Sequence, residues 1–182
     1  MCAVVVGLIG IAPTASAEEV PADEESYCLA VVDGSVDSAE QACADTESGV
    51  YEAAYTQLGI LYDDGTKDAE SFIDSIPLNR GAQAAAIYYP LGTIYDNINY
   101  GGSALTFSSQ NLSACAPSYP EVKGDLGVWG WDNRLSSFKG TQCTVTLFDG
   151  KYQGGAGYGP NWQLAWVGST WNDRASSILF WN

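Results

Sequence analysis

Two stretches of this chain recur in pairs, and that recurrence limits the possible folds more than any other feature. Tyr95-Asp96-Asn97-Ile98-Asn99-Tyr100-Gly101-Gly102 aligns without gaps on Phe148-Asp149-Gly150-Lys151-Tyr152-Gln153-Gly154-Gly155. Further on, Trp131-Asp132-Asn133-Arg134-Leu135-Ser136-Ser137 matches Trp171-Asn172-Asp173-Arg174-Ala175-Ser176-Ser177. The first pair is offset by 53 residues and the second by 40, so one copy carries a longer middle loop, Asn111 to Gly124. A repeat of this length is one supersecondary unit used twice. Short β-rich runs at Ala86–Tyr95, Ser103–Ser108, Thr144–Phe148 and Ser177–Trp181 are separated by Gly, Asn and Asp turns. Nothing between them has the length and period of a crossover helix, which favours an antiparallel sandwich. Two copies of four strands would bury one core between two sheets.

The chemistry open to the chain is narrow. It has 182 residues, 22 acidic and 7 basic side chains, a net charge of −15 and no histidine. Nucleic acid needs a basic face and is excluded as a partner. Without imidazole there is no Ser-His-Asp or Cys-His nucleophile and no histidine-ligated metal. Carboxylates, oxygen-ligated cations and surface binding remain. Asp63-Asp64 has no second carboxylate at a defined distance to make a glycosidase pair. The protein is expected not to be an enzyme.

The charge is unevenly placed. Residues 18–85 hold 16 acids and 2 bases, whereas residues 86–182 hold 6 acids and 5 bases and all six tryptophans. Residues 1–17 carry no charge and end in Ala15-Ser16-Ala17, the pattern of a cleaved secretory signal peptide. The expected organisation is therefore a signal peptide (1–17), an acidic N-terminal segment of mixed or helical structure (18–85), a pro-region or small subdomain, and an all-β domain (86–182). In the first segment, Tyr27–Val32 reads as a strand. Asp45 and Ser48 read as caps for a helix through Val50, Tyr51, Ala54, Tyr55 and Leu58, and Pro77–Gln83 reads as a linker. No segment has the length of a membrane span. The expected location is extracellular, and a monomer is expected.

Export leaves four cysteines, Cys28, Cys43, Cys115 and Cys143, in an oxidising compartment, which implies two disulfides. Three connectivities are open. Cys28–Cys43 with Cys115–Cys143 is favoured because each half then staples itself.

Each Asp/Asn pair followed by Ser-Ser makes a tight turn lined with oxygen. A carboxylate, an amide oxygen, a hydroxyl and nearby carbonyls are the hard ligands that calcium accepts. A turn closed by its own hydrogen bonds, with no ion, would explain the same residues. With one acid per copy, Asp132 or Asp173, affinity should be weak, roughly 10⁻⁵ to 10⁻³ M.

These motifs make residues 86–182 resemble a βγ-crystallin domain, in which two Greek key motifs form a two-sheet sandwich. The family's aromatic-x4-aromatic-x-Gly hairpin is present as Tyr95, Tyr100 and Gly102. Its calcium pattern, [Asn/Asp]-[Asn/Asp]-x-x-[Ser/Thr]-Ser, occurs twice, at 132–137 and 172–177. The resemblance implies two Ca2+ sites, each combining the acidic pair of one motif with the fifth-position serine of the other. One would use Asp132, Asn133 and Ser176, and its mate Asn172, Asp173 and Ser136. Arg134 and Arg174 stand where the family uses a backbone carbonyl. The second hairpin departs from the pattern, because Gln153 holds the second aromatic position and Tyr152 lies one place earlier. A bulged second hairpin is expected.

The resemblance has a second implication. Secreted actinobacterial proteins of this fold include proteinase inhibitors directed at metalloproteinases or papain-like enzymes, so a secreted protease is the alternative partner. Asn111–Gly124 is the candidate contact loop, against its simpler role as a connection. A third reading, glycan binding by exposed tryptophans, competes with core packing of the indoles.

Overall fold

The computed structural model describes residues 25–32, 40–63, 86–110, 115 and 122–181. The expected signal peptide, the 77–83 linker and most of the 111–124 loop lie outside these residues. Among the described residues, no helix is long and apolar enough to cross a membrane.

The repeat region supplies eight strands. The first copy gives β4 (Ala86–Tyr95), β5 (Ala104–Ser109), β6 (Val122–Asp125) and β7 (Ser137–Gly140). The second gives β8 (Thr144–Phe148), β9 (Gly157–Asn161), β10 (Gln163–Leu164) and β11 (Ser177–Trp181). One sheet runs β10-β7-β4-β5 and the other β6-β11-β8-β9. Each copy therefore keeps its first, second and fourth strands together and lends its third to the opposite sheet. Two Greek keys interlocked in this way form one sandwich around one core. Leu91, Ile94, Leu105 and Phe107 meet Phe138, Leu147, Ile178 and Phe180 there. Phe107 packs edge-on against Trp129 and tilted against Phe180, with ring centres 5.3 and 5.0 Å apart.

The N-terminal segment joins this architecture through main-chain pairing. β1 (Tyr27–Val31) runs parallel to β5, with Cys28 opposite Leu105 and Ala30 opposite Phe107. β2 (Gln41–Ala44) pairs antiparallel on the far side of β1. β3 (Ile60–Tyr62) lies parallel to the start of β4. The first sheet thus has seven strands. A strand covered on both faces should be apolar throughout, and Cys28 to Val31 are all buried. Cys28, Ala30 and Val32 face the sandwich, while Leu29 and Val31 join a second cluster with Val50, Ala54, Ile60 and Tyr88.

The local reading of this segment needs correction. Within the segment expected to be mixed or helical, Gln41–Ala44 is a strand, because pairing with β1 outweighs the helix preference of its Ala and Gln residues. Helix α1 spans only Gly49–Ala53 and continues as a π-helical turn, Ala54–Leu58, which Gly59 ends at φ 67°. The first free amide is capped from Thr46, whose Oγ1 accepts from the Gly49 N–H at 3.0 Å. Ser48 makes no side-chain cap. The favoured disulfides, Cys28–Cys43 and Cys115–Cys143, are both present.

Candidate metal centre

The hairpins are the scaffold of the candidate site. Asn99 and Tyr100 of the first have φ of 57° and 62°, and Tyr152 and Gln153 of the second have 53° and 61°. Gly102 and Gly155 both sit at 77°. The gapless alignment therefore holds in three dimensions at the turns themselves, and the irregularity of the second hairpin lies in its strands, where the β8–β9 register shifts between Val145 and Leu147. Gln153 occupies the backbone position of Tyr100, although it cannot repeat the edge-on Tyr95–Tyr100 contact at 5.7 Å. Its buried Nε2 makes no hydrogen bond. The glycines are needed twice over. A left-handed φ disfavours side chains, and a Cβ at Gly102 or Gly155 would collide with the carboxylate of Asp96 or Asp149.

The sixth residue of each calcium-type motif pins its own hairpin. Ser137 Oγ donates to Asn97 O at 2.6 Å and accepts from the Tyr100 N–H at 3.1 Å. Ser177 Oγ donates to Gly150 O at 2.6 Å and accepts from the Gln153 N–H at 2.9 Å. The two motif loops are then tied to each other. Asn133 N–H donates to Ala175 O at 2.9 Å, and Asp173 N–H donates to Leu135 O at 3.1 Å. Paired folded hairpins, serine pins and exchanged third strands decide the architecture. It is a βγ-crystallin fold.

Solved structures similar to this chain include a βγ-crystallin domain from Clostridium beijerinckii, at 21% identity over 50% of this chain and 97% of that one, TM-score 0.38. Another, from Flavobacterium johnsoniae, has 25% identity over 48% and 90%, TM-score 0.36. A clostrillin double mutant in complex with nickel has 20% identity over 50% and 97%, TM-score 0.38. No protein-family profile and no curated protein matches the chain.

Within this fold, the reciprocal loop bonds set Asn133 against the Ala175-Ser176 step and Asp173 against Leu135-Ser136. Asn133 and Asp173 have φ of 57° and 54°, a conformation that Asn and Asp tolerate better than most residues. Asp132, Asn133 and Asp173 are exposed, and Asn172 is half-buried. Asn172 Nδ2 donates to Asp173 Oδ2 at 2.5 Å, which leaves the Asn172 amide oxygen as an acceptor. Ser136 and Ser176 are buried, at 4% and 8% exposure, and their hydroxyls bond to none of the described residues. Their amides are held instead, Ser136 N–H by Tyr95 O at 2.9 Å and Ser176 N–H by Phe148 O at 2.8 Å. Among the described residues no three Cys, Asp or Glu side chains gather as a metal group. The donor set is one carboxylate, one amide oxygen and one hydroxyl per loop pair, all hard oxygen. Such a set fits calcium and not a thiolate- or imidazole-seeking metal.

The arginine side chains turn away from these oxygens. Arg134 Nη2 donates to Asp96 Oδ2 at 3.0 Å, and its guanidinium lies 4.6 Å from the Trp131 ring centre. Arg174 repeats this with Asp149 Oδ2 at 2.5 Å and Trp171 at 5.2 Å. Each motif thus has an Asp-Arg-Trp clamp binding loop to hairpin. The sequence reading missed its acidic member, although Asp96 and Asp149 occupy matching positions in the repeat. The Arg174 hydrogen bond, then the Ala156 N–H, holds the Asp149 carboxyl below the usual carboxylate range.

The tryptophans divide. Trp129, Trp131 and Trp171 are buried, whereas Trp162 and Trp166 are 52% and 54% exposed on the segment around β10.

Proposed function

We propose that this is a secreted, monomeric, non-catalytic calcium-binding protein in which ions stabilise the βγ-crystallin fold. The observation that carries the reading is the reciprocal pairing of the motif loops beside Ser136 and Ser176, whose hydroxyls make no hydrogen bond to the described residues. Each hydroxyl is uncommitted within the protein, so an oxygen-seeking cation can take it as a ligand. Asp132, Asn133 and Ser176 hold one ion, and Asn172, Asp173 and Ser136 the other. The Arg134 and Arg174 positions contribute backbone only, since their side chains are committed to the clamps. Calcium supplies charge neutralisation between two loops, and the chain's own hydrogen bonds supply their alignment. The protease-inhibitor reading depends on the 111–124 loop and gains no support from the described residues.

The test is thermal melting of the mature chain in calcium and in EDTA. Calcium should raise the melting temperature of the wild type and raise it less in Asp132→Ala and Asp173→Ala. Equal shifts in all three proteins would contradict the site assignment.

A further inference from the structure

Away from the motif loops, the outer face of the first sheet carries a small trough. The turn leading into α1 overhangs β4, β5 and β7 there and encloses a cavity of about 190 Å3. Its lining includes Tyr27, Tyr95, Tyr100, Thr93, Glu47 and Lys139. Thr93 sits opposite Lys139 on one side and Thr106 on the other, so these three form one row across the sheet. The Thr93 and Thr106 hydroxyls satisfy each other at 2.9 Å.

The two charged residues are exposed to solvent and are not ion-paired within the described residues. Lys139 Nζ lies 4.2 Å from the Tyr100 ring centre and 5.9 Å from that of Tyr95, yet it forms no ion pair with any described residue. Glu47 likewise has no cationic partner among the described residues. It lines the same cavity as Tyr27, Tyr95 and Tyr100, and burial and then the Glu47 charge push the Tyr95 phenol up. A second cavity of about 220 Å3 shares Glu47, Val50, Thr93 and Thr106 with the first. It extends toward Leu29 and the stacked Tyr51–Tyr62 pair, whose ring centres are 5.4 Å apart.

We propose that this trough binds a free α-amino acid with an apolar side chain. Its ammonium would face Glu47, its carboxylate Lys139, and its side chain would enter the Leu29 end. A neutral ligand would strip water from both charges and return nothing, and a singly charged one would answer only one of them. Each cavity, about 190 and 220 Å3, is smaller than a drug-sized site, and even both together limit the ligand to a compact molecule.

The experiment is calorimetric titration of the mature chain with L-phenylalanine and L-leucine, then with N-acetyl-L-phenylalanine and L-phenylalaninamide. At least one amino acid should bind saturably, and each derivative, lacking one charge, should bind about tenfold more weakly or worse. Glu47→Gln and Lys139→Gln should each weaken binding by a similar factor, with far-UV circular dichroism unchanged. Absence of binding by both amino acids at millimolar concentration overturns the proposal. So does equal binding of the derivatives, or wild-type binding by both folded variants. The result is independent of calcium binding, whose residues lie in the motif loops.

Discussion

Arg134 reaches Asp96 across 38 residues of chain and binds its carboxylate at 3.0 Å, joining a motif loop to the hairpin of the same Greek key. The pair is partly exposed, with side-chain exposures of 45% and 24%, so solvent screening limits its worth. Stacking on Trp131 adds a comparable amount. Arg134→Ala is therefore expected to lower stability by about 1 kcal/mol. Urea unfolding followed by tryptophan fluorescence checks this. No change would show that the clamp is ornamental to stability.

The second clamp makes a prediction about acid. Arg174 and the Ala156 amide favour the ionised form of Asp149 in the folded protein. The stabilisation is complete above the ordinary aspartate value of about 3.9 and disappears as pH falls through the depressed folded-state value. Melting temperature measured from neutral pH down to strong acid should fall less steeply for Asp149→Asn than for the wild type. Parallel curves would contradict the assignment.

Neighbouring serines should fail in opposite ways. Ser137 and Ser177 each hold a hairpin carbonyl and a hairpin amide, so replacing either with alanine should cost about 1–3 kcal/mol. Ser136→Ala and Ser176→Ala remove hydroxyls that bond to none of the described residues, so their stability in EDTA should stay near that of the wild type. Their calcium response should shrink. Chemical denaturation in EDTA and in calcium separates the two classes.

The N-terminal segment can be tested through Leu29, which is fully buried in the second cluster. Leu29→Ala should cost about 2–5 kcal/mol. Because β1 is hydrogen-bonded along β5, the loss should appear in the single unfolding transition of the whole protein. A separate early transition, with the main one unmoved, would show that the segment unfolds on its own.

The repeat made the sandwich legible because its signals are local. Gly102 and Gly155 mark left-handed turns, and the long strands β4, β8 and β11 have clear β-rich sequences. The exchanged strands left little trace, since β6 and β10 are short (4 and 2 residues) and are defined by partners in the opposite sheet. Parallel pairing of β1 with β5 joins Tyr27 to Ala104 across the chain, a contact no local pattern encodes. The motif residues were readable as oxygen donors. The clamps were not, because they depend on Asp96 and Asp149 folding back onto distant arginines. The second hairpin misled for a related reason. Tyr152 suggested a shifted frame, but backbone geometry fixed by Gly155 and Ser177 overrides the identity of the side chain at 153.

The central claim is that Asp132, Asn133 and Ser176 hold one calcium ion and Asn172, Asp173 and Ser136 a second. Isothermal calcium titration of the EDTA-stripped protein tests it most directly, alongside the Asp132→Ala and Asp173→Ala variants. The account predicts about two ions per wild-type chain, bound at roughly 10⁻⁵ to 10⁻³ M, and one site lost or weakened in each variant. Heat of dilution alone in the wild type, or identical isotherms in all three proteins, would contradict it.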